Sequence, residues 1–440
     1  MPRTRAVALV LAGLLVLGAS ACGDDDTASP GADAPREAPA TGGGERPTSW
    51  DPADFDVDTS GLECTGPAPD PERGVTDDAV LVGSLTTETG PTTALWGDAV
   101  AAARARLERA NAEGGVHGRQ IEFVANEDDG LDSNRSVDAA RRLAGEVFAA
   151  VPVLSAVGSY ADVFCDEVVP YFGWGFNAAY CNRAVGFGFN GCLVPGDDVD
   201  YPSSAGQTFS PLLEGDDPSI ALIGNEDAAA RQGIENLAGA FEEGGIDVVA
   251  EMPVLPANQP LADASPFVQD VLAEDPSGVY LISDFSNSLA MVQALKAVGY
   301  GGRIFTAVGY DPRLAELPDF DGVYTTLQWQ PFENTDNEFV QQMNADFDEY
   351  APETPKSLPA AAGYIAADLF VAALEAAGPD LTVDSFLETL NGGDFSYDPP
   401  ELFGSSYWPE NHVNATPCGV IVESSGGAYE LASPLACAAG

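Results

Sequence analysis

The chain predicts an α/β fold built from two doubly wound parallel-sheet lobes. Three observations carry this reading. A strand–helix–strand unit opens the folded body within residues 79–125. The same alternation restarts near residue 220, after an irregular stretch that carries cysteines. The last third then holds three helical segments followed by two closing strands. Strands that alternate with amphipathic helices form βαβ units whose strands run parallel. Two such runs separated by a break imply two layered α/β bodies.

The elements follow in order. Ala79–Leu85 is a short apolar run ahead of Thr and Gly, hence a buried strand. In the helix that follows, Trp96, Val100, Ala103, Leu107 and Ala110 recur at three- and four-residue steps and share one face. Gly114 and Gly115 supply the left-handed stop. Gln120–Ala125 is the next strand, Asn134–Phe148 a helix, Val151–Val157 a strand, and Asp162–Val169 a short helix. The second run reads as strand Ile220–Gly224, helix Asp227–Glu243, strand Asp247–Glu251 and helix Leu261–Ala273. It continues with strand Gly278–Ser283, helix Ser286–Val298, and strands Ile304–Val308 and Gly322–Leu327. Helices near Asn337–Tyr350, Leu358–Ala377 and Val383–Leu390 then imply a return to the first body. Strands near Gly419–Glu423 and Ala428–Ala432 imply a last return to the second.

The N-terminus reads as an export signal over residues 1–21. Arg3 and Arg5 precede the apolar run Ala6–Leu17, then Gly18, Ala19, Ser20 and Ala21 lead to Cys22. Twelve apolar residues are too few to span a bilayer comfortably, and no later stretch reads as long and apolar enough. The small residues before Cys22 resemble the lipobox of bacterial lipoproteins, which implies acylation of Cys22 and a mature start there. Residues 22–75 are rich in Gly, Pro, Ala, Asp and Thr and read as a flexible linker, with Trp50–Cys64 able to dock on the body.

Seven cysteines in an exported chain leave six once Cys22 is set aside, enough for three disulfides. Cys181–Cys192 and Cys418–Cys437 each close a short loop, which leaves Cys64–Cys165; the sequence alone leaves other pairings open. No CxxC or His-rich spacing points to a metal, and none is expected. The net charge is −51 and the only lysines are Lys296 and Lys356, so nucleic acid is excluded as a partner for want of a basic footprint. For the same reason an acyl chain, rather than a basic patch, would hold the protein at a membrane.

The segment from Ala79 to Gly130 carries "VGSLTTETGP" and "WGDAVAAARARLERANAEGGVHGRQIEFVANEDDG", followed by "NRSVDAARRL". Gly90-Pro91, Trp96-Gly97-Asp98, Asn111, Gly114-Gly115, Gly118 and Asp128-Asp129 stand in the order found in the type I periplasmic binding proteins, which this segment resembles. Within them it is most similar to the branched-chain amino-acid (Leu/Ile/Val) receptors of ABC importers. The resemblance implies a clamshell of two lobes joined by a three-crossing hinge. The expected lobes are residues 76–207 plus 330–395 and residues 208–329 plus 396–440. It also implies a monomer, without cofactor, that captures a small solute such as an amino acid, amide or carboxylate and delivers it to a membrane permease.

Ligands of such sheets sit at the carboxyl ends of parallel strands, where helix starts offer free N–H groups. Candidate contacts on the first lobe are Thr86 and Thr87 after the first strand, Ser159 and Tyr160 after Val151–Val157, and Trp174 and Asn177 in "GWGFN". Trp96 holds the family's aromatic position. On the second lobe they are Asn225 and Glu226, Asp284 and Phe285, and Tyr310 and Asp311. The family's second-lobe aromatic is missing; "AAARQG" stands there, with Arg231 near it, which favours an acidic ligand if it faces the cleft, although one arginine on a helix is more often plain surface.

Each candidate has a plainer role to weigh. Trp96 serves packing as well as a cleft, the Thr pair caps a loop, and Asp128 and Asp129 hold a turn rather than a metal. "GFGFNG" at Gly186–Gly191 matches GxGxxG in letters only, since Cys192 and Pro195 follow it instead of a helix. The rival classes are a ligand sensor for a membrane signalling partner and a carboxylate-dependent hydrolase. Two histidines, His117 and His412, and no nucleophile elbow or phosphate loop argue against an enzyme.

Overall fold

The computed structural model describes residues 47–55, 57–90, 96–195, 203–215, 217–257 and 259–438. The export signal, Cys22 and the linker up to residue 46 lie outside the described residues. Residues 44–440 form one compact unit.

The first lobe is built on β1 (Ala79–Thr86), α1 (Asp98–Ala112), β2 (Gln120–Asp128), α2 (Ser133–Ala144), β3 (Ala149–Leu154), α3 (Ala161–Asp166), β4 (Tyr171–Gly173) and β5 (Gly186–Gly188). Its five strands are ordered β2-β1-β3-β4-β5 and all pair parallel. The first three letters of "GFGFNG" thus form the sheet's last strand, and the final glycine, in the turn beyond it, is needed. A Cβ on Gly191 would sit 2.2 Å from the Asn414 carbonyl oxygen. Helix α1 ends where Gly114 and Gly115 take positive φ. Asn111 then ties that end to β2, giving Nδ2 to the Ile121 carbonyl (2.9 Å) and accepting the Ile121 N–H (2.7 Å).

The second lobe opens with α4 (Ala205–Phe209) and continues through β6 (Ser219–Asn225), α5 (Ala228–Glu243), β7 (Asp247–Leu255), α6 (Ser265–Glu274), β8 (Gly278–Ile282), α7 (Phe285–Ala297), β9 (Arg303–Thr306), α8 (Pro312–Ala315) and β10 (Val323–Leu327). The chain then returns to the first lobe as α9 (Glu338–Tyr350), α10 (Leu358–Ala377) and α11 (Val383–Asn391), with α9 and α10 packed on α1. A two-strand ribbon, β11 (Ser396–Tyr397) with β12 (Ser406–Tyr407), precedes β13 (Cys418–Ser425) and β14 (Ala428–Cys437). The second sheet runs β14-β13-β10-β9-β8-β6-β7. Strands β6 to β10 are parallel. The last two pair antiparallel, because a tight turn at Gly426-Gly427 folds β14 straight back on β13. Phe209, Phe241 and Tyr280 fill one face of this sheet and Val268, Met291 and Leu295 the other.

The chain therefore passes between the sheets three times: between β5 and α4, between β10 and α9, and between α11 and β13.

Several sequence expectations are corrected. Helix α10 is long and apolar enough to cross a bilayer by length and composition, contrary to the reading that no later stretch is. Its side chains are mostly buried among α1, β3, β4 and α11, so it serves as a core helix of the first lobe. The expected docking of Trp50–Cys64 is seen, but it extends further than the linker reading allowed: residues 47–55 and 57–75 form a strap fastened along the body. Trp50 is buried and gives its indole N–H to the Ser405 carbonyl (2.6 Å); Cys437 N–H reaches Pro47 O (2.7 Å). Arg73 donates to the carbonyls of Val147, Glu167 and Val168 at 2.8–2.9 Å. Residues 396–417, assigned by sequence to the second lobe, place Tyr397, Leu402, Phe403 and Trp408 in the first lobe's core, since these aromatics pack beside Phe187 and Phe189. The cysteines pair as Cys64–Cys165, Cys181–Cys192 and Cys418–Cys437. The first bond pins the strap to α3, and the last joins β13 to β14.

Candidate ligand-binding cleft

Parallel strands bring their carboxyl ends to one edge of each sheet, and the loops there open into a cavity of about 1020 Å³. It lies where the two lobes face each other. Its walls come from the loops after β3 and β4 on one side and after β6, β8 and β9 on the other, with Gln328 and the start of α10 between them.

The first-lobe wall is aromatic. Trp96 stacks on Phe176 with centroids 5.4 Å apart, and Trp174 lies 5.1 Å from Phe176 and 6.2 Å from Trp96. Trp174 is fixed from behind: its indole N–H donates to Gln328 Oε1 (3.0 Å), and Trp329 meets it edge-on at 5.7 Å. Asn177 lines the cavity, but its amide is committed, accepting from Ala179 N (2.8 Å) and donating to Ser155 O (2.8 Å).

The second-lobe wall is acidic and capped. Asp227 starts α5 and accepts from Ala230 N (2.9 Å); Asp284 starts α7 and accepts from Asn287 N (3.1 Å) and Asn287 Nδ2 (2.8 Å). Burial pushes the Asp284 carboxyl up, against those bonds. Asp311 starts α8 and is paired with Arg313 (2.6 Å). Tyr310 is fully buried; its hydroxyl donates to Glu333 (2.5 Å) and accepts the Phe332 N–H (2.9 Å). Asn225 and Phe285 complete this side, and the Asn225 Oδ1 is buried without a hydrogen-bond partner.

Trp96, Trp174, Asn177, Asn225, Asp284, Phe285, Tyr310 and Asp311 are therefore brought together in one cavity. Five other expected residues are not among its lining. Thr87 is buried, giving its hydroxyl to Asp129 (2.8 Å) and accepting Ala156 N (3.0 Å). Thr86, beside it, is buried and donates to Glu88 Oε1 (2.9 Å). Ser159 donates to Ser133 O (3.0 Å). Tyr160 turns inward against Phe164 and Tyr171. Glu226 is exposed, and its carbonyl accepts from Arg231 Nε (3.2 Å), so Arg231 is tied to its own loop rather than to the cavity.

Asp129 is a clasp for the first-lobe loops. Burial pushes its carboxyl up, while Ser155, Thr87 and the Leu131 N–H hold it. The sequence missed Phe176, Gln328, Asp227 and the pair Asp162–Arg183 (3.0 Å). Phe176 stood two residues from Trp174, and Asp227 stood before a helix, so both carried a signal; Gln328 on a crossing carried none. Among the described residues, no group of three or more His, Cys, Asp or Glu side chains is placed to hold a metal ion. His412 lies outside the cavity lining, in the first-lobe core, where burial pulls its pKa down to about 3.

A two-lobed α/β body with three crossings and a cavity between facing strand ends defines a class of hinged solute-binding proteins. The chain belongs to the periplasmic binding protein family, whose sequence model matches residues 79–428. Solved structures share the fold. A fatty acid ABC transporter substrate-binding protein from Thermomonospora curvata is 20% identical, with 82% of this chain and 93% of that one covered and a TM-score of 0.68. A solute-binding protein of an ABC transporter from R. palustris, in complex with benzoate, is 18% identical over 82% and 98% of the two chains, with a TM-score of 0.63. A leucine-, isoleucine-, valine-, threonine- and alanine-binding protein from Brucella ovis in closed conformation is 16% identical over 79% and 90%, with a TM-score of 0.63. No curated protein matches the chain.

Proposed function

We propose that this protein is the extracytoplasmic substrate-binding lipoprotein of an ABC importer. It works as a monomer, captures one small solute in the cleft and presents the loaded form to a membrane permease. The observation that carries this reading is the cavity of about 1020 Å³ enclosed by strand-end loops of both lobes, with an aromatic wall opposite polar helix starts. A site of that size and mixed lining suits a small organic solute. Binding that engages both lobes makes the loaded shape differ from the empty one, which is what a permease reads.

Among the comparison structures, several are named as ABC transporter binding proteins, which favours import over sensing. Export and an acyl chain on Cys22 complete the proposal, because a chain of net charge −51 needs a lipid to stay at an anionic surface. Two measurements test it. A thermal-shift screen of amino acids, amides, amines and carboxylates is expected to find a solute that raises the melting temperature; a screen with no stabilising solute counts against capture. Cys22→Ser is expected to move the protein from the membrane fraction to the soluble one, and retention in the membrane would refute the anchor.

A further inference from the structure

We infer that the cleft selects an aromatic amine or ammonium compound without a carboxylate: a flat apolar body bearing one cationic group. This rests on the cleft being the binding site, as proposed above, and it names the class of solute.

The first ground is the charge of the lining. Its charged side chains are Asp162, Arg183, Asp227, Asp284 and Asp311. Arg183 is taken by Asp162 at 3.0 Å, and Asp311 by Arg313 at 2.6 Å. Among the described residues, Asp227 and Asp284 face no cation; their hydrogen bonds come from helix N–H groups and from the Asn287 amide. Both are half-buried; a ligand that covers such a carboxylate takes it further from water, and a cationic group offsets that cost. An anionic ligand would meet the same two carboxylates in a medium of low dielectric and be repelled.

The second ground is hydrogen-bonding polarity. Three first-lobe candidates able to donate to a carboxylate are committed elsewhere: Thr87 to Asp129, Ser159 to Ser133, and the Asn177 amide to Ser155. The starts of α5, α7 and α8 are each capped by their own aspartate, whose carboxylate takes one of the first N–H groups and sets a negative charge where a ligand anion would approach the others. Conversely, the buried Asn225 Oδ1 in the cavity wall is an acceptor lacking a donor. Among the described residues lining the cavity, the one buried side-chain atom left without a partner is thus an acceptor, and an ammonium N–H supplies its donor.

The third ground is the opposite wall. Trp96, Trp174 and Phe176 form a cluster with centroids 5.1–6.2 Å apart, and all three line the cavity. Aromatic faces stack on a flat ring and attract a cation through the ring quadrupole.

The test titrates the full chain with 2-phenylethylamine, with its carboxylate counterpart 3-phenylpropionate, and with phenylalanine, which carries both groups. The amine is expected to raise the melting temperature and to bind at least about tenfold more tightly than either of the others. Asp284→Asn keeps an oxygen to cap α7 and is expected to weaken the amine about tenfold while leaving the melting temperature of the free protein in place. Equal or tighter binding of 3-phenylpropionate or phenylalanine, or no binding of the amine, overturns the inference. Trp96→Ala separates the two levels. If the preferred probe is a carboxylate but its binding depends on Trp96, the cleft reading stands and the solute class falls. If binding is indifferent to Trp96, Asp284 and Phe285 substitutions alike, the cleft reading falls as well.

Discussion

Two tryptophans on the same aromatic cluster differ in what they cover. Trp329 is fully buried, wedged edge-on against Trp174 and Phe189. Trp96 is half-buried and turns a face to the cavity. Truncating Trp329 opens a void in a packed core, and Trp329→Ala is expected to cost about 3–5 kcal/mol of stability. Truncating Trp96 removes a wall that solvent already reaches. Trp96→Ala is expected to leave the melting temperature nearly unchanged and to weaken solute binding about tenfold. Thermal denaturation and titration calorimetry on the two variants check the contrast; a Trp96→Ala protein that is destabilised as much as Trp329→Ala would make Trp96 a core residue.

At the scale of elements, the sequence discloses what repeats and hides what occurs once. Helix α10 reads from Leu358 to Ala377 and forms over that span, because a long apolar run ahead of Gly378 has only one way to be satisfied. Helix α1 and its glycine stop are legible for the same reason. The strands β5, β11 and β12 and the helices α4 and α8 are two to five residues long, too short to show a period. The strap at 47–75 is hidden differently. Its composition is that of a linker, and it is fastened by single side chains, Trp50, Cys64 and Arg73, and by backbone carbonyls such as Pro47 O and Pro71 O, none of which recurs with a period. The cleft shows the same division. Strand ends locate Asp284, Asn225 and Trp174, because topology sends those loops to one edge. Whether a side chain then faces out is a local matter. Thr87 turns inward because Asp129 is buried one loop away and needs its hydroxyl.

The whole molecule carries 69 acidic and 18 basic residues. A surplus of that size repels itself and favours separated lobes. One cation sits where it opposes this. Arg313, on α8 of the second lobe, gives Nη2 to Asp98 on α1 of the first (2.5 Å) and to Asp311 (2.6 Å), and Ser357 also donates to Asp98 (3.1 Å). Arg313 is partly exposed, so solvent screens the pair, which makes it a weak latch rather than a lock. A weak latch suits a body that must open and close. Without Arg313, Asp98 and Asp311 are left as two like charges at the junction of the lobes. Arg313→Gln is therefore expected to enlarge the radius of gyration of the free protein in X-ray scattering. It is also expected to lower solute affinity about fivefold, since part of the binding energy must then draw the lobes together. The loss should shrink at about 0.5 M salt, where charges more than a few ångströms apart no longer feel each other strongly. An Arg313→Gln protein with unaltered dimensions and affinity at low salt would show that the latch bears no load in closure.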